Sequence, residues 1–479
     1  MFDREQGGMT PEEMRKKRRK KERMQAFGLL GGILAVSVLI GVIVINAALG
    51  NFTRKQEKEV VKQAEEKTAE PDTVSDDSAA SQVTEAVKQE EEVAQAIDEA
   101  TVTYDELLDE AVNTYIQNMT LEEKVAGLFI VTPENLTGVG TVTAAGSSTS
   151  EALGKYPVGG IVYDASNITD EQQLSDMIFN TKSFSKYELF IAITDEGGSE
   201  SPLFSKGLTT EEVMGQKEIG ETGGAAGAYS AGLALSSQMI KYGINVDFAP
   251  LADTLLVDNS YIADRAYGTD RVETASLAKK MINGLQDGSV NACLKYFPGY
   301  GDSKTDPKQG RCSSNRTKED IAANEYGIVK EAMSADVKLI MISHMTMPKV
   351  DDTGVPASMS KIFVTDMLRT ELGYDGVVVT DYMSKGAISE NYKQADAAVA
   401  AIQAGCDMIL APSDFKKAYQ GVLDAVADNT LSEERINESL RRIYRVKLKD
   451  TVQDPAAETE NAGATTDTTG TTDNVGTAE

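Results

Sequence analysis

The sequence predicts an α/β fold, a (β/α)8 or TIM barrel, over residues 103–449. Three observations predict it. Short apolar runs rich in β-branched residues alternate with amphipathic helical stretches. Eight such units fit between 103 and 449. Polar side chains gather just past the ends of the runs, where a barrel of this kind carries its site. The runs are "GLFIV" (127–131), "GGIVY" (159–163), "LFIAIT" (189–194), "INVDFAP" (244–250), "VNACLKYF" (290–297), "KLIMISH" (338–344), "GVVVTD" (376–381) and "DMILAP" (407–412). Helical candidates such as "DEQQLSDMIFNTKSF", "KEDIAANEYGIVKEAMSAD" and "KIFVTDMLRTELG" separate them, and several stop at glycine. Strands alternating with helices imply a parallel sheet covered on both faces. A doubly wound open sheet stays open as the alternative.

The flanks read differently. Residues 1–26 form a basic tail that includes "MRKKRRKKERM". Residues 27–49 carry no charged residue and are long enough to span a bilayer as a helix. The basic block lies before them, so the expectation is a single-pass cell-membrane protein with its N-terminus cytoplasmic and its barrel extracellular. A cleaved signal peptide would have a shorter apolar core. Residues 50–102 read as an acidic stalk, and 450–479 as a low-complexity acidic tail.

Composition excludes several functions. A net charge of −28 argues against binding nucleic acid through its phosphates. The single histidine, His344, rules out any multi-histidine metal site, so no metal or other cofactor is expected. The three cysteines, Cys293, Cys312 and Cys406, match no zinc spacing and no disulfide framework. They read as buried thiols.

The strand ends supply the candidate residues. Asp195 and Glu196 follow the third run, and Asp253, Asp264 and Arg265 follow the fourth. The fifth ends in Lys295 and Tyr296, with Tyr300 and Asp302 just beyond, His344 ends the sixth and Asp381 ends the seventh. An apolar strand ending abruptly in Asp381 suggests a working carboxylate, although an aspartate there can also cap the next helix. Lys295 follows a buried run and needs a partner or a ligand. Arg265 can fork to a protein carboxylate or to a substrate hydroxyl. His344 is either a hydrogen-bonded core histidine or a general base. Tyr296 and Tyr300 either pack in their loop or offer stacking faces to a sugar.

In order along the chain, "MTLEEKVAGLFIV", "VGGIVYDASNI", "LFIAITDEGG", "GINVDFAPLADT", "DRAYGTD", "KYFPGYGD" and "GVVVTDYMSKGAI" resemble the signature segments of family 3 glycoside hydrolases, in particular the single-barrel bacterial β-N-acetylhexosaminidases. The resemblance runs over about 117–445. It implies a retaining mechanism, in which a carboxylate attacks the anomeric carbon and water releases the glycosyl-enzyme. Asp381 matches the nucleophile. Arg265 and Lys295 match residues that hold sugar hydroxyls, and Tyr296 stands where the family has a sugar-binding histidine. The mechanism needs no metal.

The chain also departs from the family pattern. Thr194 and Ser199 replace a sugar-binding aspartate and an arginine, with Asp195 one residue displaced. Both histidines of "KHFPGHGD" are tyrosines, Tyr296 and Tyr300. In the loop that carries the family's acid/base histidine, Asp306 survives while Pro307 and Lys308 replace Ser and His. Three readings follow. One is a membrane-anchored glycosidase acting on terminal β-N-acetylglucosaminides of cell-wall glycans such as peptidoglycan, with Asp302, Asp306 or Lys308 as acid. Another is a non-catalytic tethered barrel that binds a wall glycan or a partner protein. The last is a barrel enzyme of another substrate class. Substrate-binding candidates are Arg265, Lys295, Tyr296, Asp195 and His344; catalytic candidates are Asp381, Asp306 and Lys308.

Overall fold

The computed structural model describes residues 103–198 and 201–452. The tail 1–26, the apolar segment 27–49, the stalk 50–102, Ser199 and the tail from 453 onward lie outside them. Among the described residues no helix is long and apolar enough to cross a membrane.

Eight parallel strands form the barrel wall. They are β1 (Phe129–Val131), β2 (Gly160–Val162), β3 (Phe190–Ile193), β4 (Val246–Asp247), β5 (Asn291–Phe297), β6 (Leu339–Ile342), β7 (Val377–Thr380) and β8 (Ile409–Leu410). β8 pairs with β1, and the order then follows the chain to β7. Asp407 N–H donates to the Val378 carbonyl at 2.7 Å and Thr380 N–H to the Met408 carbonyl at 3.0 Å, which joins β7 to the chain entering β8 and closes the ring. Every residue of these strands is buried. Such strands read as continuous apolar runs because helices cover one face and the barrel core fills the other.

Local chemistry starts the helices where the sequence places them. Thr120 and Glu123 form a reciprocal capping box ahead of Leu121–Ala126, and Thr317 and Asp320 do the same ahead of Lys318–Ser334. Asp170 caps Glu171–Phe184. One segment differs from expectation. Ile362–Glu371 is wound with wider i→i+5 turns rather than as an α-helix. Thr370 donates its hydroxyl to the Thr365 carbonyl at 3.0 Å, and Thr365 reaches the Ala404 carbonyl at 2.7 Å. These threonine bonds engage main-chain carbonyls in and beside the turn. The three cysteines are free and buried, as read from the sequence, so no Cys293–Cys312 bridge forms.

Two features of the wall position the site. β5 pairs with β6 through Lys295 and Met341, then through Phe297 and Ile342, so Tyr296 is an extra residue in a bulge. A bulge at a barrel rim re-aims the side chains beside it. The other is the crossing of α1 (Gly224–Ile240) over α2 (Arg271–Asp287), the helices that follow β3 and β4. There Gly232 faces the Met281 carbonyl and Gly284 faces the Tyr229 carbonyl, so the two backbones touch with no room for a Cβ between them. Gly284→Ala is therefore expected to destabilise the barrel by about 1–3 kcal/mol, the usual range for overpacking. A thermal melt checks this, and an unchanged midpoint refutes the close packing.

Candidate active site

The side chains past the strand ends converge on one carboxylate. Asp381 follows β7 and is fully buried. Its Oδ1 accepts from the Tyr382 N–H at 2.7 Å. Its Oδ2 accepts from the Tyr300 hydroxyl at 2.9 Å and from the Lys385 ammonium at 2.8 Å. Burial by itself pushes a carboxyl up. Here the Lys385 charge and the hydrogen bonds outweigh it and hold Asp381 below its ordinary value. Asp381 is an anion at neutral pH, without a proton to give.

Beside it sits a second ionic cluster. Glu196, just past β3, accepts from Lys295 at 2.6 Å and also pairs with Arg265. Lys295 is 2% exposed, so Glu196 is the partner its burial demands. Burial raises the Glu196 carboxyl, but Lys295 and Arg265 together hold it low. The Arg265 guanidinium also lies 5.8 Å from the centre of the Tyr261 ring. Tyr296 and Tyr300 meet edge to face at 4.8 Å, and the Lys385 ammonium lies 5.5 Å from the centre of the Tyr296 ring. Arg265, Lys295 and Tyr296 are thus brought together as the sequence suggested, and Asp381 lies beside them.

The turn Lys295–Asp302 is held by another carboxylate. Asp253 accepts from the N–H of Tyr296 at 2.8 Å and of Tyr300 at 2.6 Å. Burial raises its carboxyl to about 6 in spite of these bonds. A Cβ on Gly299 would stand 3.0 Å from Asp253 Oδ1, so glycine lets the turn close on the carboxylate.

Five sequence candidates take other places. Asp195 turns into its own loop, where its carboxylate accepts from the Ser201 hydroxyl at 2.6 Å and the Gly197 N–H at 3.0 Å. The neighbouring Glu196, not Asp195, meets Lys295 and Arg265. His344 has both ring nitrogens engaged, Nδ1 with the Ser358 hydroxyl at 2.8 Å and Nε2 with the Tyr382 carbonyl at 3.1 Å. A carbonyl only accepts, so Nε2 carries the proton and Nδ1 accepts from Ser358. Burial lowers His344 to about 4, so it is a neutral core group. Asp306 accepts from the Lys308 N–H at 2.8 Å and shapes its own loop, while the Lys308 side chain is exposed. Asp302 is tied to Ser314 and Arg316. The loop docks through its backbone: the Pro307 and Lys308 carbonyls accept from Ala387 and Gly386 at 2.9 and 3.3 Å.

Sequence reasoning missed Lys385. The signal was present, since a lysine four residues after an aspartate can fold back onto it. It also missed Asp247, whose Oδ1 accepts from the Asp195 N–H at 2.9 Å while its Oδ2 is buried without a partner. Burial pushes that carboxyl well above its ordinary value. A cavity of about 1030 Å³ lies at the opposite end of the barrel, lined by Lys338, Asp375, Arg442 and Arg445. Arg442 and Arg445 are already paired there with Asp375, Asp105 and Asp109.

The closed barrel thus carries an ionised carboxylate past β7, flanked by a buried Lys–Glu–Arg cluster and two tyrosines. The chain belongs to glycosyl hydrolase family 3: residues 120–446 match the glycosyl hydrolase family 3 N terminal domain. A beta-hexosaminidase of Idiomarina loihiensis is 31% identical over 301 residues, covering 61% of this chain and 88% of that protein. Beta-hexosaminidase A of Pseudoalteromonas piscicida is 29% identical over 329 residues, covering 63% of this chain but only 55% of that protein. The solved structure of a glycoside hydrolase family 3 beta-N-acetylglucosaminidase from Paenibacillus sp. str. FPU-7 is 31% identical with a TM-score of 0.65, covering 70% of this chain and 63% of that one.

The neutral His344 gives the fold a pH signature. An unfolded histidine titrates near 6.5 and the folded one near 4, so its contribution is complete above about pH 6.5 and fades as the pH falls toward 4. The full effect is about 3 kcal/mol. Asp195 and Asp253, both raised to about 6, act with the opposite sign over the same range. The expected result is therefore a difference: between pH 7 and 4.5 the native protein loses more denaturant resistance than His344→Gln does. Parallel curves would show that His344 is not buried neutral.

Proposed function

We propose that the chain is a retaining glycosidase for terminal β-N-acetylglucosaminides. The observation that carries the reading is Asp381, a buried carboxylate kept ionised at the C-terminal face of the barrel beside the Lys295–Glu196–Arg265 cluster. A nucleophilic carboxylate must be deprotonated before it attacks. The sugar class rests on the family membership and on the names of the relatives. In this reading Arg265 and Lys295 meet sugar hydroxyls, and the tyrosine faces pack against the ring.

The acid is the weak point, and it shapes the prediction. Of the acid candidates, Asp302 is paired with Arg316, Asp306 accepts from the Lys308 N–H, and the Lys308 side chain is exposed. The rate should therefore depend steeply on the leaving group. With the purified full-length chain, a 2,4-dinitrophenyl N-acetyl-β-glucosaminide is expected to turn over at least about a hundredfold faster than the corresponding methyl glycoside, the usual size of the general-acid contribution. Asp381→Asn should abolish both. Turnover that survives Asp381→Asn would end the reading.

A second reading stays in view because both Asp381 oxygens already have strong donors: a barrel that holds a glycan without cleaving it. In that case the dinitrophenyl substrate is bound, as followed by calorimetry, and never turned over. We also propose that the barrel is extracellular and membrane-tethered, with a cell-wall glycan such as peptidoglycan as its substrate. Support comes from the uncharged run 27–49 behind the basic block. The chain is expected to stay with membranes through alkaline carbonate extraction, and deletion of 27–49 should release it. Release of the intact chain by carbonate would exclude the anchor.

A further inference from the structure

The ammonium of Lys385 touches the proposed nucleophile, and no role has been given to it so far. It lies 2.8 Å from Asp381 Oδ2, its side chain is 9% exposed and Asp381 is fully buried. Its position is fixed from several sides. The Lys385 N–H donates to the Tyr382 carbonyl at 3.0 Å, and the ammonium sits over the rings of Tyr296 and Tyr382 at 5.5 and 5.9 Å. The next two residues are bound by the docked 302–316 loop through the Lys308 and Pro307 carbonyls. With Tyr300 on Oδ2 and the Tyr382 N–H on Oδ1, Asp381 has a donor on each oxygen.

We infer that Lys385 is a clamp on the nucleophile: it holds Asp381 in a resting ion pair that must open before an oxygen of Asp381 can attack a sugar. A carboxylate oxygen attacks with a lone pair, and a charge-assisted hydrogen bond in a dry site occupies that pair and stabilises the anion. Opening the pair leaves Tyr300 and the Tyr382 N–H to orient the carboxylate. Lys385 is a positioning residue in this scheme. The inference rests on Asp381 being the nucleophile, as proposed above. It adds that one neighbouring side chain sets how available that nucleophile is.

The test bypasses the acid. The probe is 5-fluoro-N-acetyl-β-glucosaminyl fluoride. A carboxylate oxygen bonds to its anomeric carbon as the C–F bond breaks, fluoride leaves with the electron pair, and no proton is needed. Adduct formation on the full-length chain is followed by intact-protein mass spectrometry across pH 4–9, for the native protein, Lys385→Met, Lys385→Arg and Asp381→Asn. Lys385→Met is expected to label about tenfold faster or more at pH 7, the effect of releasing one charge-assisted bond. Its acid limb should move to higher pH, because removing the cation leaves burial to raise the Asp381 carboxyl. Lys385→Arg keeps the charge, so it should label like the native protein and show that the site is folded. Asp381→Asn should give no adduct. Labelling of Lys385→Met at the native rate with a native acid limb overturns the clamp and leaves the nucleophile standing. No adduct in any protein, with native circular dichroism throughout, overturns the nucleophile assignment and the clamp with it.

Discussion

Asp253 is the residue on which the rest of the site depends. One buried carboxylate accepts from the backbone of both Tyr296 and Tyr300 and so sets the path of the turn between them. From that turn come three directions: Lys295 toward Glu196, Tyr296 edge to face against Tyr300, and Tyr300 toward Asp381. Arg316 supports the same turn by donating to the Gly299 carbonyl at 2.8 Å. A backbone this bent, this buried and this polar needs all its donors satisfied from within the protein. The carboxylate does that at two amides with one side chain.

Charge at the site is arranged in two adjacent groups, a trio and a pair, rather than scattered. Glu196 answers Lys295 and Arg265, and Asp381 answers Lys385. Ion pairs in such a dry place hold only when hydrogen bonds satisfy the remaining polar atoms. The tyrosines meet that need: Tyr300 bonds Asp381 and also accepts from the His344 N–H at 2.6 Å. A polar shell of this kind is rigid, and opening it means exchanging one set of partners for another.

Much of this was legible in the sequence. The barrel followed from the alternation of runs and helices, because the strands are buried and several helices start at a side-chain cap. The neighbourhood of Asp381, Arg265, Lys295 and Tyr296 followed from their places at or past the C-terminal ends of strands. Asp195 and Glu196 could not be told apart, since adjacent residues on an irregular strand end may face either way until the loop is built; the loop then used Ser201 to draw Asp195 inward. His344 could not be assigned without its two partners, Ser358 and Tyr382, which lie 14 and 38 residues further on. The widened helical turns at 362–371 depend on where threonine hydroxyls find carbonyls, and periodicity does not report that.

The four-residue interval between Asp381 and Lys385 has a consequence for how the protein can change. The buried carboxylate and its counter-ion are written into the same few codons, beyond the last strand position that the barrel wall needs. Exchange at the lysine codon alone would retune the carboxylate while the packing of the wall stays as it is. The electrostatic environment of this carboxylate is therefore a local trait, adjustable without rebuilding the scaffold that carries it.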